Sequence, residues 1–202
     1  MEKIDIIKTI KDGCTLGIKN FLPLLLLVVL YVLTVWIPYL NVGTTIGLYK
    51  AIIAIGKGEK VDPVSIFDKA NFAYFGDYFL LTGLTVVGTC AAFAFAFVPA
   101  IILGIAWMFA TYFLVDKGVS ALKALRLSYK ATLGEKWRIF AIEVLCGLAI
   151  CIVCCVLALI PKVGGVLVFL AGLVLAAIMI AVVSVMYNHF SKKADELISQ
   201  VD

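Results

Sequence analysis

The chain has 202 residues, 64% of them hydrophobic and only 15% charged, with a net charge of +4 and a mean hydropathy of +1.13. A soluble domain runs near half apolar and a quarter charged, so this composition excludes an ordinary soluble fold and predicts an all-α, polytopic integral membrane helical bundle. Lys and Arg sit in short segments between long apolar runs rather than on one basic face, which argues against nucleic acid as a partner.

Residues 2–20 mix Lys3, Lys8, Lys11 and Lys19 with Glu2, Asp5 and Asp12, while Ile4, Ile7 and Ile10 recur near helical spacing. The pattern predicts a first amphipathic interfacial helix. Residues 21–40 follow as an apolar run of about 30 Å, the thickness of a hydrocarbon core. The run is too long for a signal-peptide core and no small-residue cleavage site follows it, so it is expected to be an uncleaved first span. Pro38, Asn41 and Gly43 mark a turn. Residues 42–56 return as a short second span of about 23 Å, with a re-entrant segment as the alternative.

Residues 63–76 form a second interfacial segment, in which Val64, Phe67 and Phe72 alternate with Asp68 and Lys69. The third span is expected over 77–98, ended by Pro99, and the fourth over 100–115. Residues 118–134 are the third interfacial segment. On a helix, Val119, Leu122, Leu125, Tyr129 and Leu133 fall on one arc with Lys123, Arg126 and Lys130 along its edge. The remaining arc, Ser120, Ala121, Ala124, Ser128 and Ala131, is small enough for another helix to approach closely. The fifth and sixth spans read as 139–160 and 166–187, joined by a turn at Pro161.

Under this topology 16 of the 17 Lys and Arg lie on one side and only Lys162 on the other, so both termini are expected in the cytoplasm. Thr15-Leu16-Gly17-Ile18-Lys19 matches Thr132-Leu133-Gly134-Glu135-Lys136, with a weaker version at Tyr74-Phe75-Gly76-Asp77, and each precedes a proline: Pro38, Pro99 or Pro161. The chain therefore reads as a single domain, residues 1–202, of three Pro-turn hairpin repeats.

Two sets of side chains are candidates for function. Lys50 and Glu143 fall at matching depths, about 10 and 9 Å inside the cytoplasmic interface, and neither has an opposite charge one turn away on its own helix. They are a candidate intramembrane ion pair, with Asp77 as the rival partner for Lys50 and separate snorkelling as the alternative. Lys123, Arg126 and Lys130 are candidate contacts for anionic lipid. Cys151, Cys154 and Cys155 share one helical face, but their apolar surroundings favour small packing residues over metal or redox chemistry. No catalytic, cofactor-binding or metal-ligating set is expected.

The string Asp116, Gly118, Ser120, Ala124-Leu125, Ser128, Gly134, Trp137 and Phe140, followed by two spans and an exit at Tyr187, resembles a bacterial family of six-span inner-membrane proteins of largely unknown function. That family includes the membrane domain of some glycerophosphodiester phosphodiesterases. Gly47, Gly58-Glu59 and Ile66-Phe67 resemble its stretch before the third span. The resemblance implies a bacterial inner-membrane helical bundle, and no phosphodiesterase activity is expected, since the sequence offers no clustered His, Glu and Asp for metal-assisted hydrolysis. The expected function is then non-enzymatic, exercised at the cytoplasmic interfacial helices through membrane lipids, a second copy of the chain or another membrane protein. A small transporter or pore component is the alternative.

Overall fold

The computed structural model describes residues 3–199, and all regular structure among them is helical. Glu2, at the edge of the first expected segment, lies outside the described residues. Helix α1 spans Ile6–Lys19, α2 Phe21–Thr34, α3 Leu40–Gly56, α4 Phe75–Phe95, α5 Phe97–Trp107, α6 Ala110–Lys117, α7 Ala121–Ala131, α8 Lys136–Ala158 and α9 Gly164–Ser199. Among the described residues four stretches are long and apolar enough to cross a membrane: Lys69–Phe95, Phe97–Lys117, Lys136–Ala158 and Gly164–Ile198. A fifth is counted if α1 and α2, bent by 86° at Asn20, are taken as one.

The first expected span is shorter than its sequence run, and the second begins two residues earlier than expected. The apolar run 21–40 contains α2, which stops after 14 residues, and the 17-residue α3 follows. At 1.5 Å per residue these are about 21 and 26 Å long. The chain turns between Val35 and Tyr39, where Tyr39 adopts a φ of 69° and Pro38 cannot continue a helix.

The third and fourth spans break at a different residue from the one expected. The helix ends at Phe95, Ala96 is extended, and Pro99 lies inside the first turn of α5. A proline within a continuous helix would clash with the carbonyl four residues earlier, here Phe95, and forfeit that bond. In a first turn its missing N–H has no helical partner to lose. The segment 63–76 is two 3-10 turns, Pro63–Phe67 and Lys69–Tyr74, started by Asp62 and Asp68, whose carboxylates accept from the amides of Val64 and Ala70.

Helix α9 is the mast of the bundle. Its 36 residues reach about 54 Å, and it packs against α1, α2, α3, α7 and α8. Buried side chains recur along it from Ala177 through Ala181, Val182, Ser184, Met186, Tyr187 and Phe190 to Ala194, whereas Val166, Phe169 and Leu170 near its start are exposed. The core therefore sits at the end that carries the charged segments, around Phe109, Tyr112, Phe113, Tyr187 and Phe190. Leu148, Ile152 and Val156 of α8 and Val86, Val87 and Phe93 of α4 line the exposed apolar surface at the other end.

Helix α1 docks into this core. Asp5 caps it by accepting from the amide of Lys8 at 2.9 Å. Gly13 lies on Val182, and Gly17 lies on Ile178 and Ala181, so the two helices run in opposite directions. Small residues spaced by four allow this close approach.

Candidate lipid interface

Helix α7 presents two chemically distinct faces. Ala121, Ala124, Ser128 and Ala131 are buried, and Ser128 Oγ donates to the Ala106 carbonyl at 2.7 Å, fastening α7 to α5. Leu125 and Leu127 are buried beside them. Leu122, Lys123, Arg126, Tyr129, Lys130 and Leu133 are left on the outside. All three predicted lipid-contact cations are thus exposed on one helix. They line a groove of about 350 Å³ whose other wall is Leu197 and Ile198, near the end of α9. Lys136 adds a fourth cation at the same end, its Nζ 4.4 Å from the centre of the Tyr129 ring.

Two buried carboxylates hold this surface in place. Asp116, at the end of α6, accepts from Lys57 on one oxygen. Its other oxygen accepts from Tyr187 at 2.6 Å and Ser191 at 3.4 Å and lies 3.3 Å from the Lys117 ammonium. Lys117 in turn reaches Asp195 at 2.7 Å. The network ties α3 and α6 to α9.

Glu135, in the turn between α7 and α8, does the same for the N-terminal segment. Its carboxylate accepts from the Ile4 amide at 2.8 Å and from Lys193 at 3.0 Å, while Arg138 donates to the Ile4 carbonyl at 2.7 Å. Burial raises the Glu135 pKa, but the Ile4 amide, Lys193 and His189 outweigh it and hold the carboxyl below its usual range. His189 Nε2 lies 3.4 Å from that carboxylate, out of line for a hydrogen bond. Sequence reading misses both hubs, since apart from the adjacent Lys117 their hydrogen-bond partners lie 58 to 131 residues away.

The candidate ion pair is not assembled. Among the described residues no ion pair joins Lys50 to Glu143 or Asp77. Lys50 places its Nζ 5.3 Å from the centre of the Tyr74 ring, Glu143 is exposed on α8, and Asp77 is exposed in the first turn of α4. Cys151 and Cys155 have sulfurs 4.0 Å apart on the exposed face of α8. Among the described residues no three His, Cys, Asp or Glu are grouped to share a metal ion.

The helices, not a known relative, therefore carry the functional reading: no protein-family model, curated protein or solved structure matches this chain.

Proposed function

We propose that the chain is a multi-pass protein of the bacterial inner membrane, with both termini cytoplasmic, that acts without catalysis by holding anionic lipid headgroups on α7. The observation that carries this reading is the division of α7. Its small face is consumed by packing, and the side left free combines Lys123, Arg126 and Lys130 with Leu122, Tyr129 and Leu133. Bulky apolar groups that enter the acyl boundary, edged by cations at phosphate level, suit a helix lying in the headgroup plane.

In this reading the α2–α3 hairpin completes six membrane segments and reaches across less of the bilayer than the other four. The order of interfacial segment, apolar run, proline turn and return run supports three hairpins, as does the resemblance to the six-span family. The glycine motif does not: Gly17 is packed inside α1, whereas Gly134 occupies an open turn at a φ of 82°.

The test is the lipid retained through purification in mild detergent, measured by native mass spectrometry. Each cation contributes about 1 kcal/mol with anionic lipid. Replacing Lys123, Arg126 and Lys130 together by Gln should lower the preference for anionic over neutral lipid by at least about tenfold. An unchanged preference would leave α7 a packing element only.

A further inference from the structure

Between α5 and the start of α8 runs an apolar groove of about 470 Å³. One wall is the face of α5 between Phe97 and Ile105, and the other is Leu133, Gly134, Trp137 and Phe140. Among the described residues Lys136 is the one charged group that lines it, and Lys123, Arg126 and Lys130 border a separate groove. Phe97, Val98, Leu133 and Trp137 are each more than half exposed, so the groove is open along its side.

Its two ends differ in chemistry. At one end Phe97 follows the extended break at Ala96. About 12 Å along the helix, Ile105 adjoins Ala106, whose carbonyl holds Ser128 of α7. Lys136 belongs to this α7 end, because its Nζ lies 4.4 Å from the centre of the Tyr129 ring. Among the described residues its ammonium makes no ion pair. Glu135, the residue before α8, turns its carboxylate to Ile4 and Lys193, so no side chain caps that helix and its first amides add partial positive charge. Gly134, at a φ of 82°, has no atom within 4 Å of where a β-carbon would stand, which leaves the backbone here open to a ligand. Trp137 stands edge-on to Phe140 at 6.0 Å, and an exposed indole suits headgroup depth.

An apolar slot with an unneutralised cation at its mouth matches an amphiphile that carries the opposite charge at one end. A neutral lipid would fill the slot and leave the ammonium without an anion, whereas a soluble anion would leave the slot unfilled. The slot is about 12 Å long, most of the roughly 15 Å that one leaflet contributes to a hydrocarbon core of about 30 Å. We propose that the groove between α5 and α8 seats one acyl chain of an anionic phospholipid, with the phosphate at Lys136 and the uncapped start of α8. This site needs the chain to lie in a membrane, as the α7 reading does, but uses none of that reading's three cations.

The full chain carrying Trp36→Phe and Trp107→Phe keeps Trp137 as its one tryptophan. In detergent it can be titrated with phosphatidylglycerol or phosphatidylcholine brominated on the acyl chains, since bromine quenches an indole that it touches. Phosphatidylglycerol should quench Trp137 saturably, at about one-fifth of the concentration that phosphatidylcholine needs, which is the share of one cation. Lys136→Gln should raise the phosphatidylglycerol value about fivefold, to that of phosphatidylcholine, and Lys136→Arg should leave it within about twofold. Val98→Phe, at an exposed lining position, should narrow the slot and raise both values. The triple Gln variant of α7 should move neither, so the two sites can fail separately. If the single-tryptophan chain does not fold, lipid retained by the wild type and by Lys136→Gln, counted by native mass spectrometry, gives the same comparison. Equal half-quenching by the two lipids, or a phosphatidylglycerol preference that survives Lys136→Gln, overturns the proposal. So does Trp137 emission that follows protein concentration rather than lipid, as a second copy in the groove would produce.

Discussion

Gly13 of α1 lies against Val182 of α9 so closely that a β-carbon on the glycine would stand 2.6 Å from the valine Cα. That neighbour is backbone and cannot swing aside. Any side chain at position 13 must therefore push the two helices apart.

Gly13→Leu should then destabilise the protein by about 1–3 kcal/mol or more, as overpacking does. The control is Gly172→Ala on α9, where a β-carbon meets no atom within 4 Å. Helix propensity favours that change by up to about 1 kcal/mol. Thermal unfolding in detergent compares them, and equal Tm values for the two variants would deny the α1–α9 contact.

Glu135 supplies the pH dependence. Its carboxyl is held below the ordinary value of 4.5 when folded, so folding favours the charged form. The stability it contributes is complete above that unfolded value and is lost as the pH falls through the lower folded one. Below about pH 4.5 the Ile4 segment should loosen before the rest. Hydrogen exchange at α1 across that range would show it, and Glu135→Gln should flatten the acid limb while costing roughly 1–3 kcal/mol at neutral pH.

Asp116 is the hub of a polar network. Asp116→Asn leaves Lys57 and Lys117 without their shared counter-ion, but Lys57 is 43% exposed and Lys117 keeps Asp195, so the loss should be about 1–3 kcal/mol. Tyr187→Phe removes one donor and should cost less. Because both act in one network, the double variant should fall short of the summed losses by more than about 0.5 kcal/mol, and a simple sum would mean that the tyrosine hydroxyl does not engage the carboxylate.

What could be read in advance follows from range. The burial of Ala121, Ala124, Ser128 and Ala131 was legible because helical period and side-chain size both act within one element, but Ser120 of that arc is exposed and Leu125 of the bulky arc is buried. The exposure of Lys123, Arg126 and Lys130 followed from the same period. The break at Ala96 lay three residues from its expected place, since a proline signals a helix boundary without choosing which side of it the ring will occupy. Segment 2–20 read as amphipathic, but which helix would cover its buried face was not local information. Gly13 and Gly17 meet α9 from the far end of the chain. Asp116 and Glu135 drew their partners the same way, across sequence distances that periodicity does not span.

Lys50 and Glu143 show the same limit from the other side. Counting residues from an interface gives each a height in the bundle, but it does not say toward which neighbour a helix turns that residue. Both heights agree, yet Lys50 faces Tyr74 while Glu143 is exposed on α8. Residues without shared partners have independent effects, and their losses add within about 0.3–0.5 kcal/mol. Lys50→Met, Glu143→Gln and the double variant should therefore give strictly additive changes in thermal stability. A double variant more stable than that sum by a kcal/mol or more would place the two charges in contact.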